Sequence, residues 1–122
     1  MAEILVIDDE QQMRRLMSRI LKSAGHAVHE AVNGREGIQR FLQLQPALVI
    51  TDIVMPDLDG IETIRAIRQH NPAVPILAIS GTNHTIYLRA ATEFGAMAAL
   101  QKPFRPDELL AAIAKLLDPA IT

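Results

Sequence analysis

The feature that most constrains this chain is a strict alternation of short aliphatic runs with longer amphipathic stretches. The runs are Ile4 to Ile7, Ala27 to Ala31, Leu48 to Thr51, Ile76 to Ser80 and Ala98 to Gln101, most of them rich in β-branched or aliphatic residues. Most of them read as strands buried on both faces. Between the first two, Met13, Leu16, Met17, Ile20 and Leu21 recur at helical spacing, and Gly25 is placed to end that helix. A second helix opens at Asn33 with Glu36 three residues on, and its apolar side is Ile38, Phe41 and Leu42 before Pro46. A third starts at Asp59, with Glu62 at the same offset, carries Ile61, Ile64 and Ile67, and stops before Asn71-Pro72. A fourth is expected from about Asn83 to Phe94, with Gly95 after it. The fifth runs from Pro106 through Leu109, Ile113, Leu116 and Leu117, with Asp107 and Glu108 in its first turn where the helix dipole favours acids.

Parallel neighbours need crossover connections, and each crossover carries a covering helix of fixed hand. The chain therefore reads as an α/β protein, a (βα)5 doubly wound parallel sheet of five strands. With 122 residues there is one core, so residues 1–118 are expected to form one domain and 119–122 a short tail. The composition narrows function by exclusion. A net charge of −2 gives no basic stripe for a phosphate backbone, so direct nucleic-acid binding is not expected. The absence of cysteine rules out thiolate chemistry and leaves a metal only oxygen or imidazole ligands. Ile4 to Ile7 is too short to span a membrane, and the chain is expected to be cytoplasmic. Aromatic residues make up only 3%, too few for base-stacking platforms.

In an open parallel sheet, ligands bind outside the carboxyl ends of the strands. The first strand ends in Asp8-Asp9-Glu10, the third in Asp52, the fourth in Ser80-Gly81-Thr82 and the fifth in Lys102-Pro103. Carboxylates this close repel unless a cation compensates them, and Mg²⁺ suits one or two carboxylates together with waters and a phosphate oxygen. Asp8, Asp9 and Asp52 fit that role. Lys102 supplies a mobile charge for a phosphoryl oxygen, and Ser80 a hydroxyl donor. A carboxylate is also a nucleophile toward phosphorus, and Asp52 is the best placed to form an aspartyl phosphate.

Three segments, Ile4-Leu-Val-Ile-Asp-Asp-Glu10, Val49-Ile-Thr-Asp-Ile-Val-Met-Pro-Asp-Leu-Asp-Gly60 and Gln101-Lys-Pro-Phe104, together resemble the receiver domain of two-component response regulators across essentially the whole chain. The resemblance implies a flavodoxin-like fold with strand order 2-1-3-4-5. It implies Asp52 as phosphoacceptor, Asp8 and Asp9 as the acidic metal pair, the Val54 main-chain carbonyl as a further ligand of Mg²⁺ or Mn²⁺, Ser80 as switch hydroxyl and Lys102 as the phosphate-binding lysine. It also implies a cis peptide before Pro103. The sequence departs from the family in three places. Ala99 stands where Tyr or Phe is usual, so an aromatic rotamer switch is absent there. Val54 and Thr82 occupy positions the resemblance links to hydrolysis. Met97 and Ala98 replace common acids and make the helix 4, strand 5 and helix 5 face unusually apolar.

The function implied is a Mg²⁺-dependent phosphoacceptor switch, not an enzyme with a separate substrate. A sensor histidine kinase or histidine phosphotransfer protein supplies the phosphoryl group, and the signal leaves through altered protein contacts, with the apolar face open to a downstream protein or a second copy. The alternatives are the receiver part of a longer regulator, a receiver-like module that never sees phosphate, and an aspartate-nucleophile phosphatase. The last lacks an acid at Val54. Asp57 and Asp59 read as turn and cap residues. His26, His29, His70 and His84 have no metal-ligand spacing and read as surface or loop residues. Arg14, Arg15 and Arg19 read as a solvated face of the first helix, or as a docking surface for the phosphoryl donor.

Overall fold

Parallel pairing places all five aliphatic runs in one sheet. In the computed structural model, which describes residues 2–55, 59–81 and 85–118, the elements follow in the order β1 (Glu3–Ile7), α1 (Gln11–Ser23), β2 (Ala27–Ala31), α2 (Gly34–Leu44), β3 (Leu48–Asp52), α3 (Gly60–His70), β4 (Ile76–Ser80), α4 (Thr85–Glu93), β5 (Ala98–Gln101) and α5 (Pro106–Leu117). The sheet order is β2-β1-β3-β4-β5 with every pair parallel, the topology the resemblance implies. The Lys102-Pro103 peptide is cis. Asp57, Thr82, His84, the expected start of the fourth helix at Asn83, and the tail 119–122 lie outside the described residues.

The two faces of the sheet bury separate cores, as the period-two alternation of strand side chains requires. Ile4, Val6, Leu48, Ile50, Leu77 and Ile79 meet Met17, Ile20 and Leu21 of α1 and Leu109, Ile113 and Leu116 of α5. Leu5, Ile7, Val49, Ile76 and Ala78 meet Phe41 of α2, Ile64 and Ile67 of α3 and Ala91 of α4. Helix starts are capped where the sequence indicates. The Asn33 side chain accepts from the Glu36 amide and the Asp59 side chain from the Glu62 amide, both at 2.9 Å.

The structure corrects the burial reading in four places. β1, β3 and β4 are enclosed almost completely, but β2 and β5 are the sheet's edges, so each is only partly covered. Leu16 and Leu42 were expected inside and are 42% and 46% exposed. Both sit at the margin of their helix's apolar stripe, and a helix lying on a sheet contacts it along a band narrower than that stripe. Phe41 is 4% exposed, beside the exposed Leu42. Phe41→Ala should therefore cost about 3–5 kcal/mol by cavity formation. Leu42→Ala should stay within about 0.5 kcal/mol of wild type. Chemical denaturation of the two variants checks this, and equal costs would mean that α2 is rotated from the phase described.

Candidate functional site

The pleat brings the chemistry together. Val6, Ile50 and Leu100 pack on the α1/α5 side of the sheet, and Asp8, Asp52 and Lys102 each follow one of them by two residues. The register pairs Ile7 with Thr51, so Asp8 and Asp52 leave neighbouring strands side by side. The Lys102 ammonium lies 3.3 Å from Asp52 Oδ2 and 3.5 Å from Asp8 Oδ2. Asp8, Asp9 and Asp52 each offer an oxygen within 4.8 Å of the others. The sequence-predicted acids and lysine thus share one site, with Asp8 and Asp52 buried and Asp9 exposed.

Burial dominates the electrostatics. Desolvation pushes the Asp8 carboxyl up to about 6, opposed by the Glu10 amide hydrogen bond and reinforced by the Asp52 charge. Asp52 is likewise raised by burial, with Lys102 acting against the shift. Burial disfavours the Lys102 ammonium too, but Asp52 and Asp8 overcome that and hold it above the usual lysine value. One ammonium does not balance three carboxylates. Asp8 Oδ1 accepts from the Glu10 amide at 2.9 Å, whereas the buried Oδ2 lies within ion-pair range of Lys102 but accepts no hydrogen bond from the described residues. An orphaned carboxylate oxygen in an all-oxygen, uncompensated acidic set is the donor chemistry a hard divalent cation takes, so these residues fit Mg²⁺ or Mn²⁺.

Ser80 is buried at the end of β4, and its hydroxyl has no hydrogen-bond partner among the described residues. Its carbonyl accepts from the Lys102 amide at 2.6 Å, which ties the end of β4 to the β5-α5 connection. Pleat parity places Ser80 with Ala78 on the opposite face from Asp52, so the two share a rim without a hydrogen bond. Val54 stands exposed just past β3, and Ala99 is an exposed residue of β5 opposite Ala78. Asp59 is the α3 cap, as expected. Asp8 serves the turn before α1 rather than capping the helix itself, whose Glu10 N-cap has no side-chain cap bond.

Two residues escaped the sequence reading. Gly60 appears in the second motif only as a turn residue. A Cβ there would strike the Asp52 carbonyl and the Ile53 backbone, and the Gly60 amide donates to the Ile53 carbonyl at 2.7 Å. Only glycine lets α3 begin this close to the phosphoacceptor candidate. Arg14 is not part of a solvated face. Its side chain is 11% exposed, with Nε donating to Glu30 Oε1 and Nη1 to the Asp8 carbonyl, both at 2.9 Å. The available signal was an acid, Glu30, in a strand predicted to run beside the end of the first. Of the other basic residues on α1, Arg15 and Arg19 are exposed.

A family model described as the response regulator receiver domain matches residues 4–114. The chain is similar to the chemotaxis protein CheY of Thermotoga maritima, at 33% identity over 114 residues that make up 93% of this chain and 95% of that protein. It is 36% identical over 114 residues to the response regulator MprA of Mycolicibacterium vanbaalenii, where the match spans 49% of the relative. Among solved structures, the receiver domain of NtrX from Brucella abortus superposes with a TM-score of 0.92 at 30% identity, covering 95% of this chain and 98% of that one. A response regulator receiver domain protein from Clostridium thermocellum gives 0.91 at 30% identity, covering 96% and 94%.

The raised carboxyls set the sign of a pH effect. A folded-state value of about 6 for Asp8 lies above the unfolded 3.8, so the folded form binds the proton more tightly. The stabilisation this gives is complete below the unfolded value and is lost as pH rises through about 6. Asp8→Asn removes the buried charge and should raise the melting temperature of metal-free protein at pH 7.5, with the gain shrinking toward pH 4. Mg²⁺ should stabilise the wild type at neutral pH and do so less in the variant. Thermal melts with chelator and with excess Mg²⁺ at both pH values decide this. A pH-independent difference would contradict the burial argument.

Proposed function

The chain belongs to the response regulator receiver domain family, and we propose that it is a phosphoacceptor switch in which Asp52 takes a phosphoryl group from the phosphohistidine of a sensor histidine kinase or histidine phosphotransfer protein. Receiver domains are signalling switches rather than enzymes that turn over a separate substrate, and residues 1–118 are assigned to this single switch domain. The observation that carries the reading is the Lys102 ammonium at 3.3 Å from Asp52 Oδ2 within the three-carboxylate cluster. It sets a nucleophile and a charge-stabilising cation side by side at the rim of the sheet.

Asp8, Asp9 and Asp52, with the Val54 carbonyl, would hold Mg²⁺ or Mn²⁺, which when bound supplies positive charge to the carboxylates and to the transferring phosphoryl oxygens. The protein's own residues do the rest. A carboxylate oxygen of Asp52 attacks phosphorus in line; the new O–P bond forms as the P–N bond to the donor histidine breaks, and the electron pair returns to the imidazole nitrogen. The Lys102 ammonium, already beside Asp52, follows the charge onto the phosphoryl oxygens. The Ser80 hydroxyl, without a partner among the described residues, is a donor in reserve for one of those oxygens. Its movement would carry the end of β4 and, through the Ser80 carbonyl bond to the Lys102 amide, the β5-α5 connection. The signal would leave through the face of α4, β5 and α5, where Met97 is 43% exposed, toward a downstream protein or a second copy of the chain. The phosphatase alternative lacks a general acid two residues after the nucleophile, since Val54 cannot supply one.

Incubation with a small acyl-phosphate donor should add one phosphoryl group by intact mass, only with a divalent cation present, and peptide mapping should place it on Asp52. Asp52→Asn should abolish the gain, because an amide is a poor nucleophile; undiminished labelling of that variant would sink the assignment. The exposed Val54 side chain has no group to orient an attacking water. Val54→Asn should therefore shorten the lifetime of the phosphorylated form, and an unchanged rate of phosphate loss would show that this position does not control hydrolysis.

A further inference from the structure

We propose that Arg14 is a positioning residue for the acidic cluster: its guanidinium, fixed by Glu30, holds the main chain at Asp8 so that the Asp8 and Asp9 carboxylates stay presented to a divalent cation. The inference rests on the reading of this cluster as a cation site.

The segment that carries the two acids has few other restraints. The last ladder bond from β1 to β2 is from the Asp8 amide to the Ala31 carbonyl, and α1 does not begin until Gln11. Glu10, the residue before α1, gives no side-chain cap. What shapes the turn is the Asp8 Oδ1 bond from the Glu10 amide and the Arg14 Nη1 bond to the Asp8 carbonyl, each 2.9 Å. The Asp8 carbonyl lies past the end of the strand, where the ladder no longer offers it a partner, and the arginine takes that place.

Glu30 gives the arrangement its direction. It pairs with Val6 in register, so its strand runs beside the end of β1. Its Oε1 accepts from Arg14 Nε at 2.9 Å, and the pair is mostly shielded, with 11% and 33% of the two side chains exposed. Arginine's planar fork holds two acceptors in one fixed geometry, whereas a lysine's ammonium is a point charge on a flexible stem. A guanidinium free to rotate this close to two carboxylates would pair with them and occupy the place of a cation. Held on Glu30, it donates to the carbonyl of Asp8 and, among the described residues, to neither the Asp8 nor the Asp9 carboxylate. Partners that orient a metal's direct ligands affect its affinity strongly even without touching it.

The test uses the full chain and Mg²⁺ alone, titrated by calorimetry. Arg14→Ala should weaken Mg²⁺ binding about tenfold. Arg14→Lys should fall between it and wild type, since an ammonium keeps the charge without the fixed fork geometry. Met17→Ala, a core truncation on the same helix, controls for lost stability: it should melt lower than Arg14→Ala and keep wild-type affinity. In metal-free protein, hydrogen exchange of the Glu10 amide should quicken about tenfold in Arg14→Ala, reporting the loosened turn directly. Wild-type affinity in Arg14→Ala would overturn the inference, as would wild-type Glu10 protection there or equal weakening by Met17→Ala. A wild type that binds no Mg²⁺ removes the cation reading and this inference together, whereas a wild type and Arg14→Ala that bind equally remove only the inference.

Discussion

A single ammonium set between two buried carboxylates is the interaction on which the rest of this structure depends. Asp8 and Asp52 leave adjacent parallel strands and lose most of their water, and Lys102 is the cation within reach of both, at 3.5 and 3.3 Å. Two ionised acids in that position without Lys102 would carry an uncompensated desolvation cost of several kcal/mol per ion, on the order that makes buried charges neutralise instead. Lys102 offsets part of this, and both carboxyls remain raised despite it. The site is therefore deficient in positive charge while the protein is folded. That deficiency is what makes it receptive to a divalent cation, and the adjacency of Lys102 to Asp52 is what would make it receptive to a phosphoryl group.

The surrounding structure keeps the deficiency from relaxing. The ladder fixes the strands that carry Asp8 and Asp52, so the two carboxylates cannot move apart without breaking sheet bonds. Gly60 lets the first turn of α3 press on the backbone at Asp52 and Ile53, closing the side on which a bulkier residue would push the chain outward. Arg14 restrains the Asp8 carbonyl from the other side. These contacts are made to main chain, so the side-chain oxygens remain available.

Most of this was legible in the sequence because the governing signals were periodic or local. The five runs match the five strands within a residue at each end, and for β1, β3 and β4 the reason is that a central parallel strand must be apolar on both faces and leaves a continuous run. Asp8, Asp52, Ser80 and Lys102 could be placed on one rim from strand ends alone. What the sequence could not show was how far each stripe is covered, because Leu16 and Leu42 look the same as their buried neighbours until the helices are seated on the sheet. Arg14 was misjudged for a related reason: a basic residue on a helix reads as solvated unless its partner is known, and Glu30 comes from a strand sixteen residues on. The role of Gly60 was hidden because close backbone approach leaves no pattern in composition.

The same contacts constrain how a change at Asp52 would reach the apolar face under the proposed function. Ala99 gives β5 no ring to reorient, so that face must be moved through its helices or its main chain. α3 is placed for this, because its two ends touch the two regions involved. Its first residue, Gly60, is packed on the Asp52 and Ile53 backbone. Further along, Arg68 Nε donates to the Gly95 carbonyl at 2.9 Å and the Arg65 guanidinium lies 5.3 Å from the centre of the Phe94 ring. The end of α4 is thus fastened to a helix whose start rests on the Asp52 and Ile53 backbone. A phosphoryl group displacing the Asp52 backbone would load this strut, while the Ser80 hydroxyl would load β4 and the Lys102 connection. Two routes of contact converge on the α4-β5-α5 face. Contact alone transmits nothing unless the two ends of α4 prefer different arrangements in the two charge states of Asp52.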